Sequence, residues 1–192
     1  MNFETIDRLV KESKIPISGP LSGFQAIHLG DSYENYMTFL YLLVREMKAK
    51  TCLEIGIYRG AATCHMLFGG AEVIGIDILK IRLNYKGFYF LNMDSGHPEA
   101  LEEVKKIIGD KKIDIVFQDG SHWYRSSRRD WELYSPLLAE GGVWICDDVT
   151  ENFYDKKKDP IGKGMIEYFE ELPGDKKLYD DLHQGTTQGI II

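Results

Sequence analysis

The chain has 192 residues, enough for one domain with a single core and too few for two comfortable ones. Its composition, with 44% hydrophobic and 28% charged residues, is typical of a globular protein, and no apolar run approaches the roughly 18 residues of a membrane span. A net charge of -7 argues against general attraction to nucleic acid or anionic lipid. Because the N-terminus lacks the uninterrupted apolar stretch of a secretory signal, we expect a cytoplasmic protein whose three cysteines are reduced core residues.

The N-terminal part of the chain predicts two helices joined by a loop. One helix is expected at about Glu4–Ser13, and Tyr33–Lys48 carries apolar residues at the spacing of a helix that packs on the core. The stretch Ile15–Gly30 between them contains Gly, Pro and Ser and predicts a loop, which we interpret as a lid over a ligand. We therefore expect a single domain, 1–192, with an N-terminal helix and lid-like loop in 1–32 and the core in 33–192.

From Thr51 onward, short apolar runs alternate with helical patterns. Strands are predicted in TCLEIG, EVIGID, GFYFLN, IDIVFQD and GVWICDD, and helices over Gly60–Phe68, Pro98–Ile108 and Tyr124–Leu138. Beyond a charged DKKKDP loop, a helix is expected near Ile161–Glu171 and a hairpin in LYDDLHQGTTQGIII. Strands that are apolar on both faces indicate a sheet covered by helices on both sides. The predicted fold is a Rossmann-like α/β three-layer sandwich, with a mostly parallel seven-stranded sheet and an antiparallel C-terminal strand.

A glycine-containing turn follows the first core strand. The segment LEIGIYRG places Glu54, Gly56 and Gly60 between this strand and the next helix, where glycines allow a tight turn and close approach to a ligand. The segment lacks the complete G-x-G-x-x-G of a dinucleotide site, so it does not define a ligand alone. Asp77 ends the second strand, where a carboxylate can accept hydrogen bonds from both hydroxyls of a ribose. Together these features favour an adenosine-containing cofactor.

The third predicted strand also ends on polar residues, Asp94 and Ser95. Their position allows them to meet an adenine ring. It equally allows them to cap the helix that begins near Pro98.

Three carboxylates follow directly on two further apolar strands. Asp119 follows one strand, and Asp147 and Asp148 follow the other. Hard divalent cations such as Mg²⁺ prefer oxygen ligands, so these acids predict a metal site if the two strands are neighbours. The alternative is that Asp147 and Asp148 form a solvated turn and that Asp119 is a helix N-cap.

A histidine stands three residues after the first of these acids. His122 is a candidate general base, because a neutral imidazole titrates near working pH. A metal ion at the acids would lower the pKa of a bound hydroxyl and orient it for reaction. The alternative role for His122 is to cap the following helix.

The combination LEIGIYRG, VIGID and IDIVFQDGSH…LLAEGGVWICDD resembles the class I S-adenosylmethionine-dependent methyltransferases, and within them the divalent-metal-dependent O-methyltransferases. The pattern DGSHWY…D…LL..GG….DD is most similar to the macrolide-sugar O-methyltransferase and cephalosporin-hydroxylase-like group, and the resemblance covers about Gly30 to Val149. In catechol-type relatives a lysine stands where this chain has His122. The sugar-modifying relatives have histidine there, which favours an alcohol acceptor.

The resemblance implies roles for individual residues. Glu54, Gly56 and Gly60 would line the methionine part of the cofactor, Asp77 would hold the ribose, and Asp94 and Ser95 would lie by the adenine. Tyr58 and Asp119 complete the predicted cofactor-binding set. The predicted metal ligands are Asp119, Asp147 and Asp148, and the predicted catalytic residues are His122 and Asp119.

The predicted function is therefore metal-assisted transfer of a methyl group from S-adenosylmethionine to a hydroxyl of a small molecule, such as a sugar or natural product. Mg²⁺ or a similar ion is the expected metal, with no nucleic-acid or membrane partner, and a homodimer would supply a wall of the acceptor pocket. Two alternatives stay open: a nicotinamide-dependent oxidoreductase, which the missing third glycine argues against, and a cofactor-binding domain without methyl-transfer activity.

Overall fold

The computed structural model describes residues 1–14, 35–149, 162–183 and 186–192. The helices within this part are α1 (Phe3–Ser13), α2 (Asn35–Met47), α3 (Ala61–Gly69), α4 (Pro98–Ile108), α5 (Tyr124–Tyr134) and α6 (Met165–Glu171). The strands are β1 (Thr51–Ile55), β2 (Glu72–Asp77), β3 (Phe88–Asn92), β4 (Ile113–Gln118), β5 (Leu138–Cys146), β6 (Lys176–His183) and β7 (Thr186–Ile191). The lid-like loop predicted at Ile15–Gly30 and the DKKKDP segment lie outside the described residues.

The strands form one seven-stranded sheet in the order β3-β2-β1-β4-β5-β7-β6. The five strands from β3 to β5 are parallel, whereas β7 is antiparallel to both β5 and β6. The strand order reverses between β1 and β4, and open α/β sheets bind ligands beyond the carboxyl ends of the strands at such a point. The predicted fold class and the C-terminal hairpin are confirmed.

Helices cover both faces of the sheet, because the central strands are apolar on both sides. Helices α1, α2 and α3 contribute buried residues such as Leu9, Leu43 and Met66 to the core on one face. Val104 of α4 and Tyr168 of α6 lie in the core on the other face. All three cysteines are free and buried, as the sequence predicts. Within the described residues no helix has both the length and the apolar character needed to cross a membrane.

The structure differs from the predicted bounds near the fifth strand. Helix α5 ends at Tyr134 and a short 3₁₀ turn occupies Ser135–Leu137, because Pro136 lacks the N–H that would continue the α-helix. Strand β5 starts at Leu138, earlier than the GVWICDD segment predicted, and its pairing with β4 is irregular between Ile113 and Ile115. The last helix starts at Met165 rather than near Ile161. The carboxyl ends of β4 and β5 keep their predicted places.

Candidate active site at the carboxyl edge of the sheet

An open cleft of about 260 Å³ lies where the parallel strands end. Its walls include the end of β1 at Ile55, the end of β2 at Ile76, and the segments that follow β3 and β4. Six residues predicted to bind a cofactor line this cleft: Gly56, Tyr58, Asp77, Asp94, Ser95 and Asp119. The structure thus brings most of the predicted cofactor site together around one space.

The turn after β1 passes directly over the end of β4. Gly56 has φ +85°, and a Cβ built there would lie 2.2 Å from the backbone oxygen of Asp119. Only glycine allows both this conformation and this close approach. Gly60 has φ +77° and stands at the start of α3, where a Cβ would meet the Leu83 side chain rather than the cleft. The predicted glycines therefore shape the turn, and only Gly56 lines the cleft.

Asp77 joins the turn to the end of β2. Its Oδ2 accepts hydrogen bonds from the backbone N–H groups of Ile57 and Tyr58 at 2.8 and 3.0 Å, and its Oδ1 accepts one from Leu79 at 2.7 Å. An ionised carboxylate offers about four lone-pair directions, so one direction on Oδ1 is left for a ligand hydroxyl. Asp77 holds the loop as well as facing the cleft.

Glu54 lies behind the cleft wall and does not line it. The side chain is 1% exposed, and the Thr63 hydroxyl of α3 donates a hydrogen bond to its Oε2. Burial raises the pKa of Glu54 to about 8. The hydrogen bonds from Thr63 favour the charged form and lower the pKa, but their effect is smaller than that of burial. Because successive side chains of a strand point to opposite faces, Glu54 is directed differently from Ile55, which lines the cleft.

The segment after β3 lines the far end of the cleft. Asp94 Oδ1 accepts a hydrogen bond from the N–H of Gly96 at 2.9 Å, and the Ser95 carbonyl accepts one from the Tyr134 hydroxyl at 2.7 Å. His97 is the N-cap of α4, so neither Asp94 nor Ser95 caps that helix. The alternative that they serve only as caps is therefore excluded.

The carboxyl ends of β4 and β5 bring three acids together in a buried place. Asp147 and Asp148 are 2% and 7% exposed, which excludes a solvated turn. Burial, together with the neighbouring carboxyl groups of Asp147 and Asp148, holds the pKa of Asp119 well above its ordinary value. Asp148 has φ +54°, an uncommon backbone conformation for a residue other than glycine.

His122 lies between two of these acids. Its Nε2 is 3.5 Å from Asp148 Oδ2 and 3.7 Å from Asp119 Oδ1, and its side chain is 12% exposed. Helix α5 has Trp123 as N-cap with no side-chain cap hydrogen bond, so neither His122 nor Asp119 caps it. The histidine predicted as a base therefore belongs to the acid cluster.

The acid cluster fits a divalent cation in the chemistry of its donors. The carboxyl groups of Asp119 and Asp147 lie next to each other in a buried place, and Asp148 adds a third. Together they offer the oxygen ligands that a hard cation prefers. Among the described residues, however, no group of three or more His, Cys, Asp or Glu side chains is arranged to hold an ion as it stands. Asp147 Oδ1 also accepts a hydrogen bond from Gln188. Asp119, Asp147 and Asp148 are thus suitable ligands without a preassembled coordination shell.

Several residues of the site were not predicted from the sequence. Ile78, Leu79 and Met93 line the cleft and are sequence neighbours of the predicted acids Asp77 and Asp94. Their position just after strand ends could have indicated that they belong to the site. Gln118 is a polar residue in an otherwise apolar run and forms a buried hydrogen-bond centre. Its Oε1 accepts from Tyr168 at 2.8 Å and from the Trp144 indole at 3.2 Å.

Known proteins resemble this chain in sequence family and in fold. A family described as "Methyltransferase domain" matches residues 53–149, more than half of the chain. No curated protein gives a significant match. An O-methyltransferase of Bacillus cereus, solved in complex with SAH, has a similar structure with a TM-score of 0.63 at 17% identity, covering 98% of this chain and 97% of that one.

Two other solved methyltransferases share the fold. The SAH-bound methyltransferase PaMTH1 of Podospora anserina has a TM-score of 0.63 at 16% identity, over 100% of this chain and 96% of that one. MycE of the mycinamycin biosynthetic pathway, solved with Mg and SAH, has a TM-score of 0.54 at 17% identity. The match covers 97% of this chain but only 53% of MycE, so this chain spans about half the length of that protein.

The seven-stranded sheet shares its fold with these solved methyltransferases, and the cleft lies at its strand ends. The chain belongs to the methyltransferase domain family, and the prediction of a class I S-adenosylmethionine-dependent methyltransferase is confirmed at the level of family and fold.

Proposed function

We propose that this chain transfers the methyl group of S-adenosylmethionine to a hydroxyl of a small molecule, such as a sugar or another natural product, with the help of Mg²⁺ or a similar divalent cation. The observation that carries this proposal is the position of the acid and histidine cluster directly at the end of the cleft, since Asp119 belongs to both. SAH in the neighbouring structures, and Mg in MycE, support the choice of cofactor and ion.

The cofactor would lie along the strand ends. Asp94 and Ser95 would contact its adenine, the open direction on Asp77 Oδ1 would accept one ribose hydroxyl, and Tyr58 would border the methionine part. Gly56 lines the same cleft, and its lack of a side chain lets the turn cross β4 closely. This direction would point the sulfonium methyl group toward Asp119 and His122.

Asp119, Asp147 and Asp148 would hold the ion. A bound divalent cation would lower the pKa of an acceptor hydroxyl and fix its orientation. His122 would take the hydroxyl proton on Nε2 as the oxygen–methyl bond forms and the sulfur–methyl bond breaks. The nearby Asp119 and Asp148 carboxylates would stabilise the resulting imidazolium, since opposite charges within about 4 Å attract.

The acceptor would lie beside His122. Trp123 is 37% exposed and follows the proposed base, so it would form an apolar wall for a small molecule. The net charge of -7 does not favour nucleic acid or an anionic membrane as a substrate. We expect an uncharged, hydroxyl-bearing acceptor.

The test is release of SAH from S-adenosylmethionine in the presence of sugars, catechol and hydroxylated polyketides, with MgCl₂ or with EDTA. We expect turnover of at least one of these hydroxyl acceptors with MgCl₂ and loss of that turnover in EDTA. His122→Ala should bind SAH as the wild type does, should lose turnover, and should recover part of it when imidazole is added. Turnover by His122→Ala at the wild-type rate would show that His122 is not the base. Equal turnover in MgCl₂ and in EDTA would show that the reaction needs no divalent cation.

A further inference from the structure

The loop between β4 and α5 carries both an acid of the cluster and the proposed base. Strand β4 ends at Gln118 and α5 begins at Tyr124, so Asp119 and His122 lie in the connection between them. Ser121, directly before His122, is exposed and lines the cleft. The contacts that hold this loop therefore decide where His122 lies.

Ser127 of α5 holds the loop at Ser121. Its side chain is fully buried, and its hydroxyl donates a hydrogen bond to the Ser121 carbonyl at 2.7 Å. The hydroxyl of a helical serine commonly bonds a carbonyl three or four residues earlier in its own helix. The acceptor here lies six residues earlier and outside the helix. The hydrogen bond therefore attaches the loop to α5.

A second atom also lies close to this hydroxyl. Sδ of Met165 in α6 is 3.2 Å from Ser127 Oγ. A hydroxyl has a single proton, and a thioether sulfur is a weak acceptor. The Ser127 proton is therefore directed to the Ser121 carbonyl.

The backbone of Ser127 is fixed to the end of β4. Gln118 is 1% exposed, and its Nε2 donates to the Ser127 carbonyl at 3.0 Å and to Asp130 Oδ2 at 3.3 Å. The Gln118 carbonyl accepts a hydrogen bond from the N–H of Asp147 at 2.9 Å. Ser127 thus contacts both the start of the loop, at Gln118, and its middle, at Ser121.

We propose that Ser127 is a positioning residue whose hydroxyl keeps His122 in place between Asp119 and Asp148. The inference rests on the proposed function, in which His122 takes the proton of the acceptor hydroxyl. Ser127 itself does not line the cleft. Without its hydroxyl, the Ser121 carbonyl loses its partner on α5, and the neighbouring His122 can move away from the acids. A base must lie within hydrogen-bond reach of the proton that it removes, so a small shift slows the reaction.

The first test needs no ligand. In the full chain labelled with ¹³C in the histidine rings, the His122 resonance is identified by its loss in His122→Ala. It should shift in Ser127→Ala and stay in place in Ser126→Ala, which removes the hydroxyl of the exposed neighbouring serine. The resonance of His65, buried in α3, should be the same in both serine variants. An unchanged His122 resonance in Ser127→Ala would overturn the inference.

The second test measures methyl transfer in MgCl₂ with an acceptor that the wild type uses. Ser127→Ala should lower kcat by about tenfold or more. The KM for S-adenosylmethionine and the affinity for SAH should not change, since the proposed cofactor contacts lie on other segments. Ser126→Ala should keep the wild-type kcat. If Ser127→Ala does not fold, Ser127→Cys fills the same space with a weak S–H donor and should also lose kcat.

A double variant separates positioning from a general loss of structure. Turnover of His122→Ala in added imidazole should not fall further when Ser127→Ala is combined with it, because Ser127 acts through His122. A purely structural role would lower the affinity for SAH together with kcat, or reduce the imidazole-dependent turnover of the double variant. Either result would overturn the inference. A wild type that uses no acceptor would instead overturn the proposed function, and the His122 resonance would then decide whether Ser127 holds the loop.

Discussion

The carboxyl groups of Asp119 and Asp147 lie next to each other at the ends of two adjacent parallel strands. Two carboxylates this close cannot both be charged without a large electrostatic cost, unless a cation lies between or beside them. The contact therefore connects the stability of the protein with its proposed ion.

Replacing Asp147 by Asn should stabilise the protein in EDTA. The substitution removes a buried negative charge beside Asp119 and Asp148 and keeps the oxygen that accepts from Gln188. We expect the free energy of unfolding to rise by about 1 to 2 kcal/mol. Urea unfolding in EDTA measures this, with Asp110→Asn at an exposed position as the control. A destabilised Asp147→Asn variant would contradict the electrostatic interpretation.

Gly56→Ala should be strongly destabilising, because the new Cβ would collide with the backbone of Asp119 in a left-handed conformation. Gly70→Ala is a matched control, since Gly70 has φ +108° but nothing within 4 Å of an added Cβ. The control should lose about 1 kcal/mol from conformation alone, and Gly56→Ala about 2 kcal/mol more from the collision. Chemical unfolding of both variants gives the difference, and equal losses would show that the turn can move away from β4.

The buried Glu54 should make stability depend on pH. The pKa of about 8 in the folded chain lies above the value near 4.5 of the unfolded chain, so unfolding releases a proton between these limits. The stabilisation that comes from the protonated Glu54 carboxyl is therefore fully present below about pH 4.5. It is lost as the pH rises toward 8. Glu54→Gln should reduce this fall by on the order of 3 kcal/mol.

The measurement is urea unfolding of the wild type and Glu54→Gln at several pH values between 5 and 8, in EDTA. Gln keeps an oxygen for the Thr63 hydroxyl, so the comparison isolates the charge. The exposed Glu170→Gln should leave the pH profile unchanged. Parallel profiles for wild type and Glu54→Gln would mean that Glu54 is not protonated in the folded protein.

Gln118→Leu should destabilise the chain by about 3 kcal/mol, since it leaves the Tyr168 hydroxyl, the Trp144 indole N–H and Asp130 with one hydrogen-bond partner fewer each. Tyr168→Phe removes only one donor and leaves Trp144 to satisfy Gln118, so it should lose about 1 kcal/mol. Thermal and urea unfolding measure both variants. A Gln118→Leu protein as stable as Tyr168→Phe would show that these groups find other partners.

The sequence predicts the sheet and its ends because both depend on local patterns. Apolar runs that stop at Asp77, Asp119 and Asp147 place these acids at strand ends, and parallel strands end at one edge. The position of Glu54 behind the cleft wall was not predicted, because it depends on which face of β1 packs against α3. The roles of Gln118 and Asp130 likewise depend on contacts between distant segments, although the quoted pattern DGSHWY…D includes Asp130.

The proposed function is tested most directly by calorimetric titration of the full chain with SAH and then with MgCl₂, in the wild type and in Asp147→Asn. We expect both proteins to bind SAH and only the wild type to bind Mg²⁺ in the SAH complex. A wild type that gives no heat with SAH, or an Asp147→Asn variant that binds Mg²⁺ as tightly as the wild type, would contradict the proposed function.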